Sequence, residues 1–327
     1  MAELGRRGEF ELINEIFAPL ASGHELAFGL TDDAALVRPR PGCDLVLTKD
    51  ALVADVHFPA DEAPDLVARK LLRVNLSDLA AMGAEPLGYL LALALPADLG
   101  EGWLESFAAG LASDQGEFDL ALLGGDMVAT PGALTLSLTA LGEVEEGRAL
   151  RRNGARQGDL VYLSGSIGDA ALGLLVLKGG LAGLDRQAAG ALLDRYRLPR
   201  PRLKLGRALG GLVSAASDVS DGLVADLEHI CQASGVAALI EAARLPLSPA
   251  AEAALALDPA LRRRLLAGDD YEILATLAPE GEAAAVAAAA AAGVAFTRIG
   301  EIRSGSGVSL RDADGRILEA GAGYRHF

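Results

Sequence analysis

Asn75-Leu76-Ser77-Asp78-Leu79-Ala80-Ala81-Met82-Gly83-Ala84-Glu85-Pro86 is the stretch from which the rest of the chain is read. Leu72, Leu76, Leu79 and Ala80 recur at helical spacing, so a buried helix is expected over residues 69–82. Gly83 stops that helix, and Pro86 turns the chain away. Asp78 interrupts the pattern. A lone carboxylate on a packed face costs several kcal/mol unless a partner meets it, and no Lys or Arg stands within the four residues after it. Two readings are open. Asp78 caps a neighbouring loop, or it joins a polar site assembled from distant segments, with their side chains or a metal ion as partner.

Working outward, acids recur beside glycines where strands are expected to end. Gly29-Leu30-Thr31-Asp32-Asp33 is a turn with paired carboxylates, and the strand Leu45-Val46-Leu47-Thr48 is expected to end at Lys49-Asp50. A strand over 120–123 runs into Gly124-Gly125-Asp126, where two glycines allow close backbone approach to a ligand. Further on come Asp218-Val219-Ser220-Asp221-Gly222 and Gly268-Asp269-Asp270-Tyr271-Glu272. Each acid alone reads equally well as a turn or cap residue. Together they point to divalent cations bridging carboxylates to a polyphosphate. Oxygen ligands without Cys or paired His favour magnesium over zinc. Ser164-Gly165-Ser166-Ile167-Gly168-Asp169 is a strand-to-helix turn that could take phosphate on its N–H groups, but no Gly-Lys-Ser/Thr follows, so it is not a P-loop. An amphipathic helix over residues 8–20 is expected to bury Phe10, Ile13, Ile16 and Phe17.

At 327 residues the chain exceeds one ordinary core, and two domains, 1–147 and 148–327, are expected. The divide lies in the charged, glycine-bearing segment that carries Arg148, Arg151 and Arg152. A formal charge of -16 argues against a nucleic-acid partner. No apolar run suits a membrane span, and the alanine tract at 283–292 lacks the bulk for one. The charged first ten residues hold no signal-like apolar segment, and Cys43 and Cys231 form no disulfide framework, so cytoplasmic residence is the expectation.

The blocks at 29–35, 50–58, 75–83, 124–126, 147–152, 218–223 and 268–272 resemble, in order, those of the thiamine-monophosphate kinases. The resemblance covers nearly the whole chain. It implies an α/β (α+β) fold like that of aminoimidazole ribonucleotide synthetase, with two domains of mixed sheets and packed helices, the first pairing in a homodimer. It implies direct in-line transfer of the γ-phosphoryl group of ATP to thiamine monophosphate, giving thiamine diphosphate, with several Mg2+ ions and no covalent nucleophile. Carried over by position, Asp33, Thr48, Lys49 (through its backbone), Asp50, Asp78, Asp126, Asp218 and Asp221 form the metal set. Gly125, Asp126, Arg152 and Ser220 contact ATP, and His57, Asp269 and Tyr324 contact thiamine monophosphate. Three positions depart from the family's usual residues: Lys49 replaces Thr, Asp269 replaces Glu, and Tyr324 replaces Trp, which bears on substrate affinity more than on reaction type. Two alternatives are another ATP-dependent enzyme of the same superfamily and a nucleotide-binding regulator without catalysis. Neither a reactive N-terminal Cys nor a C-terminal Cys is present for two of the superfamily's other chemistries, and the retained acids speak against the regulator.

Overall fold

The computed structural model describes residues 8–22, 24–312 and 314–319; Tyr324 lies outside them. The chain divides into two compact units. One takes in the described residues up to Leu79 together with Glu85–Glu146, and the other Ala80–Ala84 together with the described residues from Gly147 onward.

The first unit runs α1 (Glu9–Leu12), β1 (Cys43–Val53), α2 (Pro64–Ala81), β2 (Glu85–Pro96), α3 (Glu101–Phe118), β3 (Ala121–Thr130) and β4 (Thr135–Glu145). Its sheet has the order β1-β4-β2-β3, antiparallel except for the β2–β3 pair. Alternation sets its two faces: Tyr89, Leu91, Leu93 and Leu95 of β2 are buried, whereas Leu90 is exposed. Leu71, Leu72, Leu76 and Leu79 of α2 are fully buried. Helices α2 and α3 are tied by Asp114, which is wholly buried and accepts from Arg73 Nε at 2.6 Å and Arg69 Nε at 2.8 Å. The helix expected over residues 8–20 is broken. α1 lasts four residues and passes into a π-helical turn (Ile13–Phe17) and a 3-10 turn (Ala18–Ala21). The change of pitch moves the buried stripe to Leu12, Ile16, Phe17 and Leu20, and leaves Phe10 78% exposed.

In the second unit the strands are β5 (Leu160–Ser164), β6 (Ala215–Asp218), β7 (Ala237–Glu241), β8 (Ile273–Leu277), β9 (Phe296–Arg303), β10 (Gly307–Arg311) and β11 (Ile317–Glu319). The helices are α4 (Asp169–Leu177), α5 (Arg186–Arg197), α6 (Leu203–Ala208), α7 (Leu223–Ser234), α8 (Pro249–Leu257) and α9 (Glu282–Ala291). The sheet order is β11-β10-β7-β9-β5-β8-β6, with only β10–β7 parallel among these pairs. Val161, Leu163, Leu223, Leu227, Leu274 and Ile299 centre one core; Leu172, Leu192, Ala251 and Ala254 centre a second between α4, α5 and α8. The end of α2 folds with this unit. Leu150 N–H donates to the Met82 carbonyl at 3.0 Å, and a Cβ at Gly206 would meet the Ala80 carbonyl at 1.9 Å, so only glycine fits there.

Candidate active site

Alternation along β1 places Thr48 and Asp50 on one face and Lys49 on the other. Asn75 and Asp78, three residues apart on α2, share a helix face and meet the Thr48–Asp50 side. Thr48 Oγ1 donates to Asp78 Oδ2 at 2.5 Å. The Asp50 N–H donates to Asn75 Oδ1 at 3.1 Å, and Asn75 Nδ2 donates to the Leu71 carbonyl at 2.9 Å. Asp50 is pushed up to about 6, by burial first and by the charge of Asp78 second. These carboxylates therefore raise one another's cost, and the pattern suits a cation between them. A donor set of two carboxylates and a hydroxyl fits a hard divalent ion. Of the two readings of Asp78, this geometry favours the assembled polar site over a loop cap.

Asp33, Lys49, Gly125 and Asp126 line a cleft of about 650 Å³ in the same unit, together with Ser137 and Thr139. Thr48, Asp50 and Asp78 are not among its lining residues. The first-unit members of the expected metal set thus fall into two groups. The cause is alternation along β1, which sets Thr48 and Asp50 on the face opposite Lys49; strand ends also lie elsewhere than expected. β1 continues to Val53, paired with β4 throughout, so Asp50 lies within the strand and not at its end. Gly124-Gly125-Asp126 likewise lies inside β3. Gly125 has a structural reason of its own: a Cβ there would meet the Leu91 carbonyl of β2 at 2.0 Å. His57 stands just beyond β1, its Nδ1 accepting from the Val53 N–H at 3.0 Å. That acceptor role leaves the proton of the neutral ring on Nε2.

In the second unit β6 delivers Asp218 to a tight loop. Asp218 is buried, and Ser220 and Asp221 are half-buried. Arg152 Nε donates to Ser217 Oγ at 3.1 Å, which brings the expected ATP-contacting arginine beside this loop. The loop is held from behind by Asp226 on α7, whose Oδ2 accepts from both the Ser220 and the Asp221 N–H at 3.0 Å. Asp226 is pushed up to about 6, chiefly by burial. Ligand atoms of Asp221, Asp226 and His229 lie within 4.8 Å of one another.

Asp269 is half-buried, and the residues after it turn inward. Asp270 accepts from the Gly168 N–H at 2.7 Å and from the Ala170 N–H at 3.0 Å. The N-terminus of α4, where a phosphate could have been cradled, thus holds the chain's own carboxylate. Glu272 has no exposure; it accepts from Ser164 Oγ at 2.5 Å, Arg195 Nη2 at 2.9 Å and Arg202 Nε at 2.7 Å. Asn75, Asp226 and Glu272 are the supporting residues that sequence reasoning did not single out. An Asn inside a helix was the available signal for the first; the other two look like ordinary acids until their distant partners are known.

Burial pushes Asp270 up to about 7, against the pull of its two backbone donors and Arg195 and with the push of Asp169. The folded chain then holds a proton there that the unfolded chain releases near its ordinary value of 3.8. Stability from this group accordingly falls as pH rises from about 4 to about 7. The thermal midpoint of Asp270→Asn, plotted against pH over that range, is expected to fall less steeply than that of the parent. Equal slopes would remove Asp270 as the source.

Comparison with known proteins follows the same division of the chain. The AIR synthase related protein N-terminal domain family matches residues 31–144, and the corresponding C-terminal domain family matches residues 156–313. The thiamine-monophosphate kinase of Caulobacter vibrioides is 47% identical over 97% of this chain and 90% of its own length. The crystal structure of thiamine-monophosphate kinase from Stenotrophomonas maltophilia is 41% identical, covering 95% of this chain and 98% of that one, with a TM-score of 0.82. AaThiL complexed with AMPPCP and TMP is 32% identical over the full length of both chains, with a TM-score of 0.77.

Proposed function

This chain belongs to the thiamine-monophosphate kinases, within the AIR synthase related proteins, and we propose from that premise that it transfers the γ-phosphoryl group of ATP to thiamine monophosphate. The whole-length likeness to AaThiL complexed with AMPPCP and TMP is the observation that carries this reading. The products are ADP and thiamine diphosphate. The bond formed joins an oxygen of the acceptor phosphate to the γ-phosphorus, and the bond broken joins that phosphorus to the β–γ bridging oxygen. The acceptor phosphate is already largely ionised, so the protein needs neither a covalent nucleophile nor a strong general base; it aligns the two phosphates and offsets their charge.

The residues divide that work. Thr48, Asp50 and Asp78, with Asp33, Asp126 and the backbone at Lys49, would hold Mg2+ from the first unit, and Asp218 and Asp221 from the second. Bound there, Mg2+ would neutralise the triphosphate and the charge that develops in transfer. The oxygen-only set at Thr48, Asp50 and Asp78, where burial and then the charge of Asp78 push Asp50 up, supports this assignment. Gly125, Asp126, Arg152 and Ser220 are assigned to ATP. His57 and Asp269 are assigned to thiamine monophosphate, with the tautomer that Nδ1 acceptance selects placing the His57 proton on Nε2 as a donor for the acceptor phosphate. Tyr324 is assigned with them. The domain at 1–147 serves metal, ATP and dimerisation, and that at 148–327 completes the site. Leu45, Leu47, Leu90 and Val128 are exposed apolar residues of the first sheet, which supports pairing of two copies across it. No helix of the described residues is long and apolar enough to cross a membrane, and cytoplasmic residence remains our reading.

Incubation of the protein with ATP, Mg2+ and thiamine monophosphate is expected to yield thiamine diphosphate, with unphosphorylated thiamine giving no product. Magnesium-dependent ATP binding without turnover would overturn the kinase reading in favour of another acceptor or a regulator.

A further inference from the structure

We propose that Asp226 is a positioning residue for the nucleotide- and metal-facing loop at 218–221, an inference that rests on the assignment of Ser220 and Asp221 given above. A single oxygen, Oδ2, accepts the backbone N–H groups of both Ser220 and Asp221 at 3.0 Å. Asp226 is 1% exposed and lies in the first turn of α7, where an acid also meets the favourable end of the helix dipole. Two consecutive N–H groups drawn onto one buried oxygen fix the peptide planes of 219–221. With those planes fixed, the side chains of Ser220 and Asp221 leave the loop in set directions. On the other side of the loop the Val219 N–H donates to the Glu272 carbonyl and the Tyr271 N–H to the Val219 carbonyl, both at 2.9 Å. Tyr271 takes a left-handed φ of 53° to make the second of these bonds. Asp226 is therefore a side-chain anchor that adds to these main-chain bonds.

This geometry separates anchoring from metal ligation. Asp226 shares a cluster with Asp221 and His229, and a metal ligand there would depend on its negative charge. An anchor depends only on an acceptor oxygen at the Oδ2 position. Asp226→Asn supplies that oxygen without the charge; Asp226→Ala supplies neither.

The test is steady-state kinetics of the full chain, varying ATP and thiamine monophosphate separately, with ATP-analogue binding by calorimetry and thermal midpoints measured alongside. For Asp226→Ala, KM for ATP is expected to rise about tenfold or more, as expected when two hydrogen bonds to a charged acceptor are lost. KM for thiamine monophosphate should change much less, and the calorimetric affinity should fall in parallel with the ATP effect. Asp226→Asn is expected to recover most of the loss, staying within about threefold of the parent. Equal rises in both KM values, or unchanged values in Asp226→Ala, overturn the proposal. So does an Asp226→Asn defect as large as that of Asp226→Ala and matched by His229→Ala, which would make Asp226 a metal ligand. Absence of thiamine diphosphate formation by the parent chain would instead refute the assignment on which the inference rests, and the parent is assayed first.

Discussion

Asp78→Asn is expected to lower turnover about 10³-fold while the chain stays folded. Asn keeps an oxygen that can accept the Thr48 hydroxyl, so the contact between β1 and α2 survives. What it removes is the second negative charge beside Asp50. That charge, after burial, is what pushes Asp50 up to about 6. Its loss relieves a like-charge repulsion, and the thermal midpoint in metal-free buffer is expected to equal or exceed that of the parent. Addition of magnesium should then stabilise the parent more than the variant, because an ion that binds only the folded state raises stability with its occupancy. The pairing of lower activity with undiminished stability is the diagnostic result. Full activity in Asp78→Asn removes Asp78 from the metal set. A lowered midpoint assigns it to the scaffold.

Glu272→Ala is expected to act in the opposite way, with a large loss of stability. Its carboxylate is wholly buried and gathers Ser164, Arg195 and Arg202 from β5, α5 and the segment before α6. Truncation removes the carboxylate that both guanidinium groups share, leaving Arg195 with Asp169 at 4.0 Å as its more distant partner. Removing one partner of a buried ion pair costs about 3–5 kcal/mol, far more than the net contribution of the intact pair. The thermal midpoint of the full chain should drop by many degrees, and amide exchange in β5 and β8 should accelerate before that in β1–β4. Glu272→Gln, which keeps the shape and one acceptor, should fall between the two. An unchanged midpoint in Glu272→Ala would mean that water replaces the carboxylate at no cost, and would remove the network from any account of stability.

The segments that could be read locally were the ones with a strong period and marked ends. α7 stands at Leu223–Ser234, between Gly222 and Gly235, two glycines that mark its ends in the sequence itself. The helix around Asp78 was legible too, although its start at Pro64 was not, since the apolar pattern begins later than the hydrogen bonding. Strand ends were harder. The Lys49-Asp50 pair looks like a terminus because the apolar run weakens there, yet β1 stays paired with β4 as far as Val53 opposite Thr135. A pairing partner so distant in sequence leaves no local mark. The acids were visible as a set, but not which face each would take, and a shift of one position in a strand reverses the face. Asp226 and Glu272 were hidden for the same reason. An acid in a helix or before a strand is ordinary until the groups that it binds are brought from elsewhere.

The five residues Ala80–Ala84 have a consequence for how such a chain is made and inherited. Ala80 and Ala81 end the α2 helix and Met82–Ala84 form the turn after it, yet all five fold with residues beyond 147. During synthesis they leave the ribosome long before Leu150 and Gly206, against which they pack. The second unit therefore waits for its own sequence with one piece already outside. It is also not a transferable cassette. A genetic exchange at the 146/147 joint would set the incoming half against another protein's version of those five residues, so the heritable module is the two units together.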